Sequence, residues 1–312
     1  MRKNLSVVLA GGLGNQLFQI ACALSLTDNE VRAITCLCNP RTSNDLADSQ
    51  YLVFPSRVKF YNCTKRHILA KKIGLLLLSM TQRRNYLNRF FLLRHLVYLT
   101  CSVILTLHFR QFLYPRVGNG LGFDKSLLSK KGNLIVGYFQ SYLYLTISKR
   151  KEEFMTIRLV EESEDFLKLK ETLALGSPTF IHVRLGDYKH EKGFGVLSKD
   201  YFIDALSLIK QTSGEPPIKV FSDENELAFN LLSELPIKES DLVNTRSLLP
   251  AETLELMREF DKYVISNSTF SWWGAFLTRS PEAQVAYPNP WFEEGAPPDF
   301  LTPQNWLKVR RH

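Results

Sequence analysis

The sequence predicts an α/β protein with parallel sheets, built as two halves. Apolar segments of strand length alternate with segments of helical periodicity along most of the chain, and this alternation is typical of parallel sheets covered by helices on both faces. A chain of 312 residues also exceeds what one hydrophobic core usually organises. The break at Gly176–Pro178 therefore predicts a boundary between a domain of residues 1–176 and a domain of residues 177–312.

Short apolar runs predict the strands, and apolar residues at helical spacing predict the helices between them. The predicted strands are Leu5–Ala10, Val31–Leu37, Asn133–Phe139, Phe180–Val183, Ile218–Phe221, Tyr263–Ile265 and Gln284–Tyr287. The predicted helices are Asn15–Leu26, Glu161–Leu175, Asp200–Gln211, Asn225–Leu235, Ala251–Phe260 and Phe270–Leu277.

The surplus positive charge is concentrated in one segment. From Ser49 to Phe123 the sequence has twelve Lys or Arg and no Asp or Glu, whereas the rest has 27 basic and 31 acidic residues. Apolar runs such as Ile73–Leu78 and Phe90–Phe109 interleave with these charges, which predicts a basic helical insertion in the N-terminal domain. Because Arg94 interrupts the second run, a membrane-spanning helix is not expected.

Three interpretations of this basic segment remain open. It is a cationic amphipathic surface that contacts an anionic membrane, a solvated helical subdomain, or a groove for anionic substrates. Binding of nucleic acid is disfavoured, because the segment has no helix-turn-helix, zinc or RNA-binding signature.

The N-terminus and the cysteines predict a cytoplasmic location. Met1–Gly12 has a basic start but only five or six apolar residues, too few for a signal-peptide core. Five cysteines without a CxxC pair indicate neither a disulfide framework nor a metal site. No metal or other cofactor is therefore expected, and peripheral contact with the inner face of the plasma membrane follows if the basic segment binds lipid.

The first candidate site is the glycine turn Gly11–Gly14 after the first predicted strand. Glycines let a ligand approach the backbone, and the start of the next helix presents N–H groups to an anion. The spacing is neither a dinucleotide fingerprint nor a P-loop. A tight turn alone would explain the glycines, but it would not explain the carboxamides of Asn15 and Gln16 that follow.

The second candidate site is His182–Tyr188, at the end of a predicted strand. Ligands bind at the carboxyl ends of strands in open α/β sheets. His182 and Arg184 project from the same face of the strand, and a planar guanidinium suits a pyrophosphate. Asp187 can orient either side chain, and we expect Asp187 and water to be the partners of Arg184 without ligand. The alternative is a lone buried histidine beside a surface salt bridge.

The third candidate site is Phe221–Glu224, which also ends a predicted strand and carries the carboxylates of Asp223 and Glu224. Such carboxylates either accept hydrogen bonds from a guanine base edge or cap the following helix.

The fourth candidate site is Tyr263–Phe276, where hydroxyl and amide side chains lie between a strand and an aromatic helix start. Ser268 and Thr269 with their neighbouring N–H groups are typical of a phosphate-binding nest. At least one of Trp272 and Trp273 is expected to be a core residue.

Five motifs follow one another between Gly11 and Leu277. They are GGLGNQLFQ, GYFQS at Gly137–Ser141, HVRLGDY, VFSDE and ISNSTFSWWGAFL. Together they resemble the bacterial α-1,2-fucosyltransferases, which are family 11 glycosyltransferases. The basic segment carries none of these motifs.

This resemblance implies a GT-B-like fold, with two Rossmann-type α/β domains facing a cleft. The C-terminal domain would hold GDP-fucose, without a metal, and the N-terminal domain would lie on the acceptor side. The implied reaction is an inverting transfer of L-fucose from GDP-β-L-fucose to the 2-hydroxyl of a terminal galactose on an oligosaccharide or a lipid-linked glycan. The alternatives are a glycosyltransferase for another nucleotide sugar and an inactive nucleotide-sugar or glycan-binding module.

The resemblance, together with the four candidate sites above, assigns roles to individual residues. Those expected to bind the donor are Gly12, Gly14, Asn15, His182, Arg184, Asp223, Glu224, Ser266, Ser268, Thr269 and Phe270. Those expected to be catalytic are Arg184, His182, Asp187 and Asn15. Arg184 would stabilise the charge of the leaving group, whereas the general base stays open between Asp187, His182 and Glu224.

One position departs from the family pattern. The family usually has His-x-Arg-Arg, and here the second arginine is replaced by Leu185. By strand alternation, residue 185 points away from Arg184. If that face is open, Leu185→Arg should be tolerated.

Overall fold

The computed structural model describes residues 4–37, 47–62, 68–82, 91–173, 178–186, 188, 193–210 and 217–312. The chain divides into two compact units. The first unit is Met1–Arg158 with Pro298–Thr302, and the second is Leu159–Pro297 with Pro303–His312.

The boundary between the units falls earlier than the predicted break at Gly176–Pro178, of which residues 176 and 177 lie outside the described residues. The reason is that the segment before the break packs within the second unit. The N–H of Ser163 donates to Glu252 Oε1 at 2.9 Å, and Lys170 Nζ lies 3.7 Å from Glu259 Oε1.

The described strands and helices alternate for most of the chain. The strands are β1 Leu5–Ala10, β2 Val31–Leu37, β3 Leu52–Val53, β4 Val58–Tyr61, β5 Pro115–Val117, β6 Leu134–Val136, β7 Arg158–Leu159, β8 Thr179–Val183, β9 Ile218–Ser222, β10 Leu242–Val243, β11 Lys262–Val264, β12 Gln284–Asn289 and β13 Leu307–Arg310. The helices are α1 Leu13–Leu26, α2 Ile68–Gln82, α3 Phe91–Phe109, α4 Leu143–Ile147, α5 Lys151–Met155, α6 Glu164–Leu173, α7 Lys199–Lys210, α8 Asn225–Leu231, α9 Pro250–Met257 and α10 Thr269–Phe276.

The sheet of the first unit has the strand order β4-β2-β1-β6-β5, and its strands pair in parallel. Every residue of β1 is buried, as expected for a central strand covered on both faces. The chain leaves β1 toward β2 and β4 on one side and later returns to β6 and β5 on the other. The strand order therefore reverses between β1 and β6, so the carboxyl ends of these two strands form a topological switch point.

The sheet of the second unit has the order β10-β9-β8-β11-β12-β13 and is also parallel. This is the strand order of the doubly wound nucleotide-binding fold, and its switch point lies between β8 and β11. The prediction of a GT-B-like pair of Rossmann-type α/β units is confirmed. The second and fourth candidate sites follow β8 and β11, so both begin at this switch point.

Tryptophan is confined to the second unit, where Trp272 and Trp273 are completely buried in α10. The prediction that at least one of them is a core residue is confirmed for both. Their rings contact each other, with centroids 4.9 Å apart, and Trp272 also stacks on Phe276. This packing fixes the helix that begins at the switch point.

In the described part of the basic segment, the helices α2 and α3 lie between β4 and β5. The predicted helices are confirmed there, but β3, β4 and β5 were not predicted because they have only two to four residues each. Both helices turn apolar residues toward one core that includes Ile73, Leu77, Cys101 and Leu105. Among the described helices of the protein, none is long and apolar enough to cross a membrane.

Candidate active site

The carboxyl ends of β8 and β9 bring two charged side chains together. The strands pair in parallel with Val183 opposite Ser222, so the next residues, Arg184 and Asp223, are neighbours. Arg184 Nη1 lies 3.2 Å from Asp223 Oδ2. About a fifth of the Arg184 side chain and a quarter of the Asp223 side chain remain exposed (20% and 24%), so solvent reaches the pair.

Asp223 also holds the turn that follows β8. The N–H of Leu185 donates to Asp223 Oδ1 at 3.0 Å, and the N–H of Gly186 donates to Oδ2 at 3.0 Å. A Cβ on residue 186 would lie 2.6 Å from Oδ2, so only glycine permits this approach. The carboxylate thereby fixes both the backbone after β8 and the guanidinium of Arg184.

His182 is enclosed and neutral. It is 4% exposed, and its Nδ1 lies 2.8 Å from Ser266 Oγ in the loop after β11. Burial, followed by the charge of Arg184, lowers the pKa of His182 to about 3. An imidazole with this pKa is a poor proton acceptor at neutral pH, and its hydrogen bond instead ties the two loops of the switch point together.

Tyr188 was not predicted to take part in the site. Its ring faces Arg184, with the guanidinium carbon 5.6 Å from the ring centroid, and its hydroxyl donates to the carbonyl of Asn267 at 3.1 Å. Asn267 is buried, and its Nδ2 donates to the carbonyl of Phe194 at 2.8 Å. Tyr188 thus connects the arginine to the loop after β11.

The loop after β11 leads directly into α10. Ser268 is the N-cap residue of this helix, and its hydroxyl accepts from the N–H of Phe270 at 3.3 Å. Thr269 and Phe270 are half-buried at the helix start, and the Phe270 ring lies 6.5 Å from the ring of His182. A helix N-terminus at a switch point is favourable for an anion.

Of the two remaining acidic candidates, the structure describes only Glu224. Glu224 is exposed and is the N-cap of α8, but its side chain makes no capping hydrogen bond, so the capping interpretation is wrong for this residue. Asp187 lies outside the described residues. The predicted partners of Arg184 were Asp187 and water, whereas the structure adds Asp223, because the register of β8 and β9 makes it the neighbour.

Leu185 faces the core. It is 4% exposed and belongs to an apolar cluster with Tyr201, Phe202 and Leu206. The face of residue 185 is therefore closed, and Leu185→Arg is no longer expected to be tolerated.

At the switch point of the first unit, two motifs meet in a similar way. Gln140, which follows β6, donates from Nε2 to Asn15 Oδ1 at 3.0 Å. Asn15 is half-buried in the first turn of α1. Gly11 has a positive φ of 76°, and a Cβ there would lie 2.7 Å from Asn15 Nδ2. The glycine turn therefore leaves room for the Asn15 carboxamide.

Other residues of this motif have structural roles. Gln16 is buried and donates to the carbonyl of Gly11, while its oxygen accepts from the N–H of Ser49. Gln19 joins β1 to the end of β6 in the same manner, since it accepts from Ala10 and donates to Gly137. Gln16 therefore stabilises the turn.

The predicted donor-binding glycines of the first unit differ in accessibility. Gly12 is half-buried, and a Cβ added to it would meet no atom within 4 Å, whereas Gly14 is buried within α1. Of these two glycines, Gly12 therefore has open space beside it.

Two connecting residues were missed by the sequence analysis, Tyr188 and Gln140. Both stand inside motifs that were recognised, HVRLGDY and GYFQS. Both could have been selected from the sequence, because each is a hydrogen-bonding side chain shortly after a predicted strand. The partner of each side chain, however, depends on the topology of the sheet.

The second-unit site can bind an anion with protein groups. Arg184 supplies a fixed positive charge, and α10 begins beside the residues it contacts. Across the described part of the chain, no three His, Cys, Asp or Glu side chains are grouped as metal ligands. The strand order is that of the Rossmann-type nucleotide-binding class, in which ligands bind at the carboxyl ends of the strands beside the switch point.

The family follows from comparison with known proteins. Residues 135–306 match the family model described as Glycosyl transferase family 11, which is more than half of the chain. The chain belongs to glycosyltransferase family 11, and the resemblance carried by the five motifs is confirmed.

Two relatives from Escherichia coli match along almost their whole length. The chain is 27% identical to the O-antigen biosynthesis glycosyltransferase WbnK, over 96% of this chain and 99% of that protein. It is 25% identical to an alpha-1,2-colitosyltransferase, over 97% and 98%.

A solved structure of a family 9 glycosyl transferase from Veillonella parvula has the same fold, with a TM-score of 0.51 at 7% identity. The match covers 99% of this chain and 86% of that chain.

Proposed function

We propose that the protein is an inverting α-1,2-fucosyltransferase. It moves L-fucose from GDP-β-L-fucose to the 2-hydroxyl of a terminal galactose on an oligosaccharide or a lipid-linked glycan. The second unit binds the nucleotide sugar, and the first unit serves the acceptor.

The observation that carries this proposal is the Arg184–Asp223 pair at the carboxyl ends of β8 and β9, beside the switch point of the second sheet. A ligand at this edge meets the partly exposed guanidinium of Arg184 and the start of α10. Both favour a doubly charged diphosphate. Membership of glycosyltransferase family 11 supplies the reaction type.

The leaving group determines what Arg184 does in the reaction. The acceptor hydroxyl attacks C1 of the sugar from the side opposite the GDP, the bond from C1 to the phosphate oxygen breaks, and negative charge builds up on the diphosphate. A guanidinium already held by Asp223 and Tyr188 needs little reorganisation to meet that charge. In the complex, Arg184 contacts both the diphosphate and Asp223. Asp223 keeps its hydrogen bonds to the N–H groups of residues 185 and 186.

The base that takes the acceptor proton is not His182 in this proposal. Its pKa of about 3 keeps it neutral and weakly basic, and its ring is buried against Ser266. The acceptor hydroxyl loses its proton late, to Asp187, Glu224 or water, because a loose transition state at C1 requires little help from a base.

A second donor has a specific observation in its favour. One of the two relatives is an alpha-1,2-colitosyltransferase, at an identity close to that of the other relative. Colitose is fucose without its 3-hydroxyl, so GDP-fucose and GDP-colitose carry the same diphosphate and base. Both donors would use Arg184 in the same way.

The test is a transfer assay with the purified full chain. It combines GDP-fucose, GDP-colitose, GDP-mannose and UDP-galactose with a set of β-galactoside acceptors, and NMR of the product determines the linkage. The expected result is an α-1,2-linked fucose on galactose.

Preferential transfer of colitose would replace the donor in this proposal while keeping the linkage. Transfer from UDP-galactose alone would contradict it. Binding of GDP-fucose without turnover on any acceptor would support the alternative of an inactive binding module.

A further inference from the structure

We propose that the exposed side of helices α2 and α3 is a docking surface for an anionic lipid bilayer. The first observation is a row of solvent-exposed apolar side chains on α3. Leu93, Leu96, Leu99, Val103 and Leu107 are 53–75% exposed, and they recur every three or four residues. They therefore form one side of the helix, which we call the leucine face.

The same arrangement continues on α2, with charge added. Leu69, Leu75 and Leu76 are about half exposed, and the exposed Lys71 and Lys72 lie between them. The opposite sides of α2 and α3 are buried in one shared core. The exposed sides of both helices thus point away from that core.

Charge indicates which partner covers this surface. No Asp or Glu occurs from Ser49 to Phe123, against twelve Lys or Arg. A second copy of the chain would bring the same cations against each other, which is unfavourable. An anionic bilayer offers negative headgroups to Lys71, Lys72 and Arg110 and an apolar interior to the leucines.

The geometry is that of a helix lying in the membrane interface. Neither α2 nor α3 is long and apolar enough to span a bilayer. A helix that is apolar on its exposed side and flanked by cations instead inserts that side among the acyl chains and leaves the cations at the headgroups. This inference does not depend on the donor or the acceptor of the reaction.

The test is flotation of the full chain with vesicles. One set contains phosphatidylcholine alone and the other contains about 30 mol% phosphatidylglycerol, which gives a negative surface potential. We expect binding to the anionic vesicles and at least tenfold weaker binding to the neutral ones. Raising the salt concentration should weaken the anionic binding, because it shortens the Debye length.

Two double variants separate the contribution of charge to vesicle binding from the contribution of apolar insertion. Lys71→Gln with Lys72→Gln should weaken binding to anionic vesicles about thirtyfold, from the contribution of each lysine near such a surface. Leu96→Gln with Val103→Gln should weaken it about tenfold or more, because apolar insertion is lost. Circular dichroism checks that each variant is folded.

Matched controls lie in the second unit. Leu167→Gln with Leu227→Gln replaces leucines that are each 43% exposed, and Lys168→Gln with Lys238→Gln removes two exposed lysines. Both controls should bind vesicles as the wild type does.

Several results would overturn the proposal. These are equal binding to neutral and anionic vesicles, no binding to either, or the same loss in the control variants as in the test variants. Sedimentation of the wild type as a dimer that Leu96→Gln with Val103→Gln converts to a monomer would instead assign the leucine face to a second copy of the chain.

Discussion

Arg184 and Asp223 are neighbours because they are the residues that directly follow two paired parallel strands, and their side chains meet at 3.2 Å. Asp223 also accepts hydrogen bonds from the N–H groups of Leu185 and Gly186. The two members of the pair therefore differ in function. Asp223 is part of the framework of the turn, whereas Arg184 presents a partly exposed guanidinium at the end of β8.

Arg184→Ala should reduce sugar transfer about a hundredfold or more, because the charge contact to the leaving diphosphate is lost. Its thermal midpoint should hardly change, since a partly exposed ion pair contributes about 1 kcal/mol or less. Arg184→Lys should restore little activity, because a point charge does not reproduce the planar guanidinium. The measurements are kcat/KM and thermal unfolding followed by tryptophan fluorescence, which reports on the second unit alone.

The matched control for Arg184 is Lys219→Ala. Lys219 pairs with Asp241 at 3.3 Å, and the two side chains are exposed to a similar extent (21% and 20%). This variant should keep its activity. Unfolding of Arg184→Ala at room temperature would show that Arg184 is a structural residue and that the donor binds elsewhere.

Leu185→Arg should destabilise the second unit by about 3 kcal/mol, because a guanidinium would have to be desolvated in an apolar cluster. Urea unfolding followed by tryptophan fluorescence measures this change. Leu208→Arg on α7 is the control, since Leu208 is 37% exposed and should tolerate the charge. Equal stability of Leu185→Arg and wild type would mean that the turn after β8 can open residue 185 to solvent.

The stability of the second unit should fall on acidification because of His182. Its pKa is about 3 in the folded protein and about 6.5 in an unfolded chain. Between these values the unfolded state binds a proton that the folded state does not bind. The free energy of unfolding therefore decreases as the pH falls through this window, by up to about 1.4 kcal/mol per pH unit.

His182→Gln should lack this component of the slope. The comparison uses urea unfolding at several pH values between about 6.5 and 4, where the unfolded histidine gains its proton. His95→Gln serves as the control, because residue 95 lies in the first unit and tryptophan fluorescence follows the unfolding of the second unit. Identical slopes for His182→Gln and wild type would show that His182 titrates normally in the folded protein.

Gln140 should affect catalysis by fixing the orientation of the Asn15 side-chain amide. Because Gln140 Nε2 donates to Asn15 Oδ1, the amide nitrogen of Asn15 is turned away from Gln140. In Gln140→Glu the carboxylate can only accept, so it favours the opposite orientation of the Asn15 amide. We expect Gln140→Glu to lower kcat more than Gln140→Ala.

A double-mutant cycle with Asn15→Ala checks this coupling. Once Asn15 is alanine, substitution of Gln140 should have no further effect on kcat. Independent, additive losses would show that Gln140 does not act by orienting Asn15.

Transfer should persist in EDTA, within about twofold of the untreated rate, because Arg184 and the start of α10 supply the positive charge at the proposed diphosphate site. The measurement is the initial rate after dialysis against chelator. Loss of activity that manganese or magnesium restores would show that a metal neutralises the diphosphate.

The sequence predicted the α/β class and the second-unit motifs well, because each motif follows a strand whose apolar run is easily recognised. β8 and β11 were predicted to within two residues. Short strands such as β10 and the final strand β13 were missed, since two to four residues show no clear alternation. Their existence depends on pairing with strands far along the chain.

The contacts within the site were harder to predict than its residues. Asp187 and water were the expected partners of Arg184, and Asp187 lies outside the described residues. The contact of Arg184 with Asp223 was not expected. Sheet register decides this contact, and register is a property of two strands together. The burial of Leu185 was not predicted either. Strand alternation gives the direction in which its side chain points, but it does not show which residues pack on that side.

The connection that contains α2 and α3 leaves the sheet of the first unit at one edge strand, β4, and returns at the other, β5. The residues that meet at the switch point come from the ends of β1 and β6, in the middle of that sheet. A change in the length of this connection therefore leaves the positions of Asn15 and Gln140 unaffected. If the leucine face binds a bilayer as proposed above, the connection supplies that contact without using any residue of the switch point.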